Sequence, residues 1–217
     1  MKRMQGAVFD LDGVICDTAK YHYLAWKRLA DYLGFKFTEK DNERLKGVSR
    51  ERSLEILLQI GKIDADAEQK EEWKEKKNRW YIECISKMTE DEILPGVRKL
   101  LYEMHSLGVR VSLGSSSKNA RMILERLGIA RMFDYIVDGT MVQRAKPDPE
   151  VFQKAAEGMR VAPENCIVFE DAQAGVEAAH NAGMKCVGVG KADILIGADC
   201  YINGFTEIKA EDLIIWK

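Results

Sequence analysis

The sequence predicts an α/β fold: a doubly wound, mostly parallel sheet interrupted after its first strand by an α-helical cap. Three observations lead there. From Pro95 onward, short apolar runs closed by turn residues alternate with helix-period stretches of roughly ten to fifteen residues, the signature of parallel strands with right-handed crossovers. A further apolar run, Gly6 to Phe9, stands alone near the N-terminus. Between that run and about residue 88, every periodic segment reads as helix.

The elements follow in order. Gly6–Phe9 is short, apolar and closed by Asp-x-Asp-Gly, so it reads as a buried strand. Residues 19 to 34 carry Tyr23, Trp26, Leu29, Ala30 and Leu33 at helical spacing, and Gly34 is a natural stop. Thr38-Glu39-Lys40-Asp41 resembles a capping box opening a second helix. Residues 51 to 60 form a third, expected to end at Gly61, and 66 to 87 a long charged fourth with Trp73, Trp80, Tyr81 and Ile85 on one face. Pro95 and Gly96 suit a helix start, and Gly108 ends it before strand Val109 to Leu113. A helix is expected from Lys118 to Gly128, a strand at Tyr135 to Val137, and a helix at about 149 to 158. Strand Cys166 to Phe169, helix 173 to 182, strand Lys185 to Val189 and a short strand near Tyr201-Ile202 complete the series. The expected division is residues 1–16 plus 91–217 as a Rossmann-like core and 17–90 as the cap.

Composition narrows the function classes. A chain of 217 residues with 46% hydrophobic and 31% charged content has enough apolar mass for one large domain and an insert. With 33 basic and 35 acidic residues the net charge is −2, so no global field favours nucleic acid or an anionic membrane. No apolar run approaches the roughly 18 residues of a membrane helix. The first strand begins within a few residues of Met1, leaving no room for a signal peptide, and a cytoplasmic location is expected. Five scattered cysteines (Cys16, Cys84, Cys166, Cys186, Cys200) without a C-x-x-C pair fit reduced thiols rather than zinc or disulfides. No heptad seam or long bare strand edge stands out, so a monomer is expected.

Four features fall at C-terminal strand edges, where open α/β sheets bind ligands. Asp10 and Asp12 follow the first strand; two carboxylates at a buried edge call for a cation or substrate, although an Asp-Gly turn with solvated acids has the same pattern. Ser115-Ser116-Ser117-Lys118-Asn119 follows the strand that ends at Leu113, and reads as an anion cradle or as an ordinary helix cap. Lys146, in Ala145-Lys146-Pro147-Asp148-Pro149, offers a cation for a phosphoryl group, or is a solvated lysine. Glu170-Asp171 follows the strand at 166, as metal ligands or as helix-capping acids. Together, Asp10, Glu170 and Asp171 suit Mg²⁺ and hard oxygen chemistry, and a carboxylate can serve as nucleophile toward phosphorus with a second acid two residues on as proton carrier.

In that order, Asp10-x-Asp12-Gly13, the Ser115 turn, Lys146 and Glu170-Asp171 resemble the four motifs of the haloacid dehalogenase superfamily over essentially the whole chain. The resemblance implies that Asp10 becomes an aspartyl-phosphate and Asp12 is the general acid–base. It implies that Ser115 and Lys146 hold the phosphoryl group. Mg²⁺ would be bound by the Asp10 carboxylate, the Asp12 carbonyl, Asp171 and Glu170. The acid at Asp12 argues against a true dehalogenase.

The cap is similar to that of the β-phosphoglucomutase family within this superfamily. The matching segments include Asp17-Thr18-Ala19, Tyr21-His22, Ala25-Trp26-Lys27, Leu45-Lys46-Gly47-Val48-Ser49-Arg50, Lys77-Asn78, Ser117-Lys118-Asn119 and Glu170-Asp171-Ala172-Gln173-Ala174-Gly175. That likeness implies a bisphosphorylated sugar, β-glucose 1,6-bisphosphate, as activating intermediate, with Arg50 on the distal phosphate. Ser116, Ser117, Lys118 and Asn119 would contact phosphate or sugar. Thr18, Trp26, Gly47, Val48, Ser49 and Lys77 would complete the pocket, and His22 would couple cap closure to Asp12. Ser116 departs from the family's usual alanine. Read without the resemblance, Trp26 is core, His22 a satisfied or surface residue, Arg50 solvated, and the Lys74 to Lys77 run a wet helix face. Two other functions keep the same motifs: a Mg²⁺-dependent sugar-phosphate phosphatase, and a sugar-phosphate-binding module without turnover.

Overall fold

The computed structural model describes residues 4–45 and 49–214. Gly47 and Val48, expected in the substrate pocket, lie outside them. The chain divides into two compact units, Met1–Asp17 with Thr89–Lys217, and Thr18–Met88.

The first unit is built on a parallel six-stranded sheet: β1 (Gly6–Phe9), β2 (Arg110–Gly114), β3 (Tyr135–Val137), β4 (Cys166–Glu170), β5 (Lys185–Val189) and β6 (Cys200–Ile202), in the spatial order β3-β2-β1-β4-β5-β6. That is the Rossmann-type order, whose direction of winding reverses beside the first strand. β1 is buried along its whole length because it has neighbours on both edges and cover on both faces. Its alternation assigns Val8 to one face and Phe9 to the other. Val8 joins Val168 and Phe152 in a core cluster with the helices that follow β3 and β4. Phe9 stacks on Phe169, its register partner, at 4.5 Å between ring centroids, and Phe205 packs beside both.

The helices of this unit follow the strands, allowing for the inserted unit after β1. They are α5 (Val97–Ser106) before β2, α6 (Ala120–Arg126), α7 (Glu150–Met159), α8 (Gln173–Asn181) and a terminal α9 (Ala210–Ile214). α6 starts at Ala120 rather than Lys118. The Ser115 and Ser117 hydroxyls accept the N–H groups of Ser117 and Asn119, so these residues form a side-chain-stabilised turn that competes with helix.

The second unit holds α1 (Ala19–Tyr32), α2 (Glu39–Asn42), α3 (Arg50–Gly61) and α4 (Ala67–Ile85), without a strand among its described residues. Thr38 and Asp41 form the expected capping box, and Asp66 with Gln69 forms a second at the start of α4. The left-handed cap that closes α3 is Lys62, at φ +53°, and not Gly61, which is the last residue of the helix. Gly61 is helical, and a Cβ there would lie 2.6 Å from the Phe35 ring. α4 lies against α1 and α3 through Trp73 and Tyr81, beside a core of Trp26, Leu29, Leu54 and Leu57. Among the described residues no helix is long and apolar enough to cross a membrane.

Candidate active site

β1 and β4 are paired with Phe9 opposite Phe169, so Asp10, just past β1, and Glu170, the last residue of β4, stand side by side at the winding reversal. The Asp10 N–H donates to Phe169 O at 3.0 Å, carrying the ladder one step past the strand. Asp10 is 7% exposed and Glu170 is 1% exposed. Two carboxylates desolvated this far require a counter-charge. Lys146 supplies it from the β3–α7 connection: its Nζ lies 2.6 Å from Asp10 Oδ1 and 2.6 Å from Glu170 Oε1. The ring of Phe152, on α7, lies under the ammonium at 4.7 Å.

The charges shape one another. Burial opposes the Lys146 charge, but attraction to Asp10 and Glu170 outweighs it and holds the lysine above its ordinary value. Burial raises Glu170, and Lys146 offsets part of that rise. Asp171, directly after β4, reaches solvent on one side. Desolvation by the protein behind it, with the like charges of Asp10, Glu170 and Asp12, pushes its carboxyl up to about 8. A lone lysine does not balance the four carboxylates at this end of the sheet.

That surplus suits a divalent cation. Among the described residues, no three His, Cys, Asp or Glu side chains converge as a ready-made metal cluster. Mg²⁺ does not need one, because it takes one or two carboxylates and keeps several waters. Asp10 and Asp171, with the Asp12 main-chain carbonyl, are the oxygens that would supply a donor set of that kind. Both Glu170 oxygens are engaged within the protein: Oε1 is paired with Lys146 and Oε2 accepts the Ala172 N–H at 2.8 Å. As folded it is an anchor for Lys146, because the buried ammonium needs a second anion.

Asp12 is half-buried in a tight turn. Ile15 N–H bonds Leu11 O and Gly13 N–H bonds Cys16 O. Gly13 sits at φ +75°, and a Cβ there would fall 1.9 Å from Asp171 Oδ2, so only glycine lets the turn approach Asp171. Cys16 is fully buried; burial first, then Asp12 and Asp10, push its thiol far up, away from reactivity. Ser115, 1% exposed, follows β2 and bonds Val137 O through its N–H. Its hydroxyl accepts the Ser117 N–H at 3.1 Å, leaving the hydroxyl proton to donate. Ser116 and Lys118 are exposed, Ser117 and Asn119 half-buried. Asp10, Asp12, Ser115, Lys146, Glu170 and Asp171 all belong to this unit, at the C-terminal ends of β1, β2 and β4 and in the connection after β3.

The remaining expected residues belong to the other unit. Thr18, fully buried, starts α1 and accepts the Tyr21 and His22 N–H groups at its carbonyl. Trp26 is in the helical core. Lys77 is 2% exposed, with its Nζ 2.9 Å from His22 Nδ1 and lying over the rings of Trp26 and Tyr81 at 4.6 and 4.8 Å. His22 stacks on Tyr81 at 4.2 Å. Burial, then the Lys77 and Arg50 charges, hold this imidazole well below its ordinary value, so it is neutral. Ser49 caps α3 by accepting the Arg52 N–H at 3.2 Å, and half-buried Arg50 is the first residue of that helix. Sequence reasoning missed the Glu170–Lys146 pair and the contacts of Glu150, a carboxylate four residues beyond Lys146 that accepts the Gln143 and Arg144 N–H groups. The acidic first turn of α7 was the available signal.

The family described as haloacid dehalogenase-like hydrolase matches residues 7–189. A β-phosphoglucomutase of Bacillus subtilis (strain 168) is 44% identical over 211 residues, covering 96% of this chain and 93% of its own. A phosphorylated carbohydrates phosphatase of Thermotoga maritima is 34% identical over 185 residues, covering 84% and 83%. The crystal structure of a β-phosphoglucomutase from Clostridium difficile superposes with a TM-score of 0.89 at 42% identity, covering 97% of this chain and 95% of that one.

Proposed function

We propose a function from the premise that this chain belongs to the haloacid dehalogenase-like hydrolase family: it is a β-phosphoglucomutase, an isomerase of carbohydrate metabolism that interconverts β-D-glucose 1-phosphate and glucose 6-phosphate. The observation that carries this reading is 44% identity to the Bacillus subtilis enzyme across nearly the whole of both chains.

Asp10 is the proposed nucleophile. Lys146, 2.6 Å from its Oδ1, holds that carboxylate in one orientation and offsets charge on an arriving phosphoryl group. Phosphorylated Asp10 passes its phosphoryl group to the 6-hydroxyl of β-glucose 1-phosphate while Asp12 takes the hydroxyl proton. The β-glucose 1,6-bisphosphate so formed turns over, Asp10 accepts the 1-phosphate, and Asp12 returns the proton to the sugar oxygen. Bound Mg²⁺ would supply charge neutralisation for the transferring phosphoryl group, held by Asp10, Asp171 and the Asp12 carbonyl. Ser115 donates its hydroxyl proton to a phosphoryl oxygen. Arg50 is the residue proposed to hold the phosphate that is not reacting. A cytoplasmic monomer acting on small sugar phosphates completes the proposal.

The test is a Mg²⁺-dependent assay with β-glucose 1-phosphate and a trace of the 1,6-bisphosphate, following glucose 6-phosphate and inorganic phosphate together. Glucose 6-phosphate with little inorganic phosphate is expected. Inorganic phosphate released as fast as the sugar isomerises would move the chain to the phosphatases, as the Thermotoga maritima relative is named.

A further inference from the structure

We propose that Glu150 is a positioning residue for Lys146, acting through the backbone of the β3–α7 connection; this rests on the role given to Lys146 above. Residues 138–149 form no regular helix or strand, yet near their end Lys146 delivers its ammonium to within 2.6 Å of two carboxylates. A long side chain on an irregular segment holds such a position only if its backbone is tied down, because ordering loose backbone costs conformational entropy.

Glu150 makes the ties. Its Oε2 accepts the N–H groups of Gln143 at 3.0 Å and Arg144 at 2.9 Å. Its Oε1 pairs with Lys154 Nζ at 2.6 Å, one turn along α7, and the same Nζ donates to Met141 O. Asp148 continues the web by accepting the Glu150 N–H at 3.0 Å and Arg144 Nε at 2.6 Å, and Asn181 Nδ2 donates to Pro147 O at 3.0 Å. A carboxylate in the first turn of a helix ordinarily serves that helix's own N–H groups. Glu150 instead reaches back six and seven residues, to the segment leading into Lys146.

Its influence is mechanical. The strongest charge interactions of the Lys146 ammonium are with Asp10 and Glu170, and the contacts of Glu150 are to the backbone and to Lys154. The helix that carries Glu150 also places the Phe152 ring under the ammonium, so α7 sets both the backbone and the tip of this lysine.

The experiment is a double-mutant cycle read by Mg²⁺-dependent hydrolysis of p-nitrophenyl phosphate, with kcat and KM separated and folding checked by thermal unfolding. Glu150→Ala is expected to lower kcat about tenfold, since misplacement by 1 Å costs on the order of 10²-fold. In the Lys146→Ala background the same change should cost less than about twofold. Glu150→Gln keeps an acceptor for the two N–H groups and should stay within about threefold of the parent. The ¹⁹F spectrum of the fluoroberyllate adduct on Asp10 should shift in Glu150→Ala and hold in Glu150→Gln. A Glu150→Ala loss of equal size in both backgrounds, or no loss in the parent, overturns the proposal. Lys146→Ala as active as the parent overturns the reading of Lys146 itself, and the positioning role with it.

Discussion

Gly175→Ala perturbs the Lys146–Glu170 pair without itself replacing a charged residue. Gly175 lies in the first turn of α8, outside the left-handed region, so alanine meets no backbone strain there. Alanine also raises helix propensity by about 0.5–1 kcal/mol. Against that gain, the new Cβ would fall 1.9 Å from both Cδ and Oε1 of Glu170. The carboxylate must move, and it leaves Lys146 at 2.6 Å and the Ala172 N–H at 2.8 Å. Breaking a buried ion pair costs about 3–5 kcal/mol. The net expectation is therefore about 3 kcal/mol of destabilisation. At about 2–4 °C per kcal/mol for a chain of this length, the Tm should fall by roughly 6–12 °C. The assay is calorimetric or circular-dichroism melting in the parent and in a Glu170→Ala background, where Gly175→Ala should be neutral or stabilising. A Gly175→Ala protein as stable as the parent, or equally destabilised in both backgrounds, refutes the argument that Glu170 is seated against this glycine.

Gly13→Ala combines φ +75° with a Cβ 1.9 Å from Asp171 Oδ2, so it should displace Asp171 and weaken Mg²⁺ binding about tenfold or more, about 1.4 kcal/mol; isothermal titration with Mg²⁺ is the check. Arg50→Ala should depress isomerisation of β-glucose 1-phosphate far more than hydrolysis of p-nitrophenyl phosphate, and equal losses would remove the role given to Arg50. His22 is held well below its ordinary value in the fold, whereas the unfolded chain protonates it near pH 6.5. The unfolded state therefore binds more protons, and stability is lost as pH falls through and below 6.5. His22→Gln should flatten the fall in Tm between pH 7.5 and 5.5; an unchanged slope would show that His22 contributes nothing to it.

The strands of the sheet were legible because a parallel sheet covered on both faces writes each strand as an apolar run, as in Gly6–Phe9 and Cys166–Glu170. The motif acids were legible for a related reason: charge at the end of such a run has to be answered by something. That Lys146 answers Glu170 directly was not legible. Lys146 and Glu170 are 24 residues apart and meet through the sheet order, and nothing local to either marks the pair. Lys77 shows the same limit. In sequence it is one lysine in a charged helix, and its burial depends on His22 and Trp26, more than fifty residues away, as well as on nearby Tyr81. Gly61 misled because a glycine near a helix end ordinarily marks the stop, while here it makes room for the Phe35 ring.

The place of β1 in the sheet has a consequence for how the chain is made. Phe9 lies between Leu113 and Phe169, partners the ribosome delivers 104 and 160 residues later (113 − 9 and 169 − 9). At about 5–20 residues per second, the first strand emerges some 8–30 s before its second neighbour. The segment Thr18–Met88, by contrast, is contiguous and helical, so its contacts close locally while the nascent apolar strand still waits. A buried, apolar strand is thus also the strand exposed longest during synthesis, and the two acids that follow it, Asp10 and Asp12, stand as charged gatekeepers at its end.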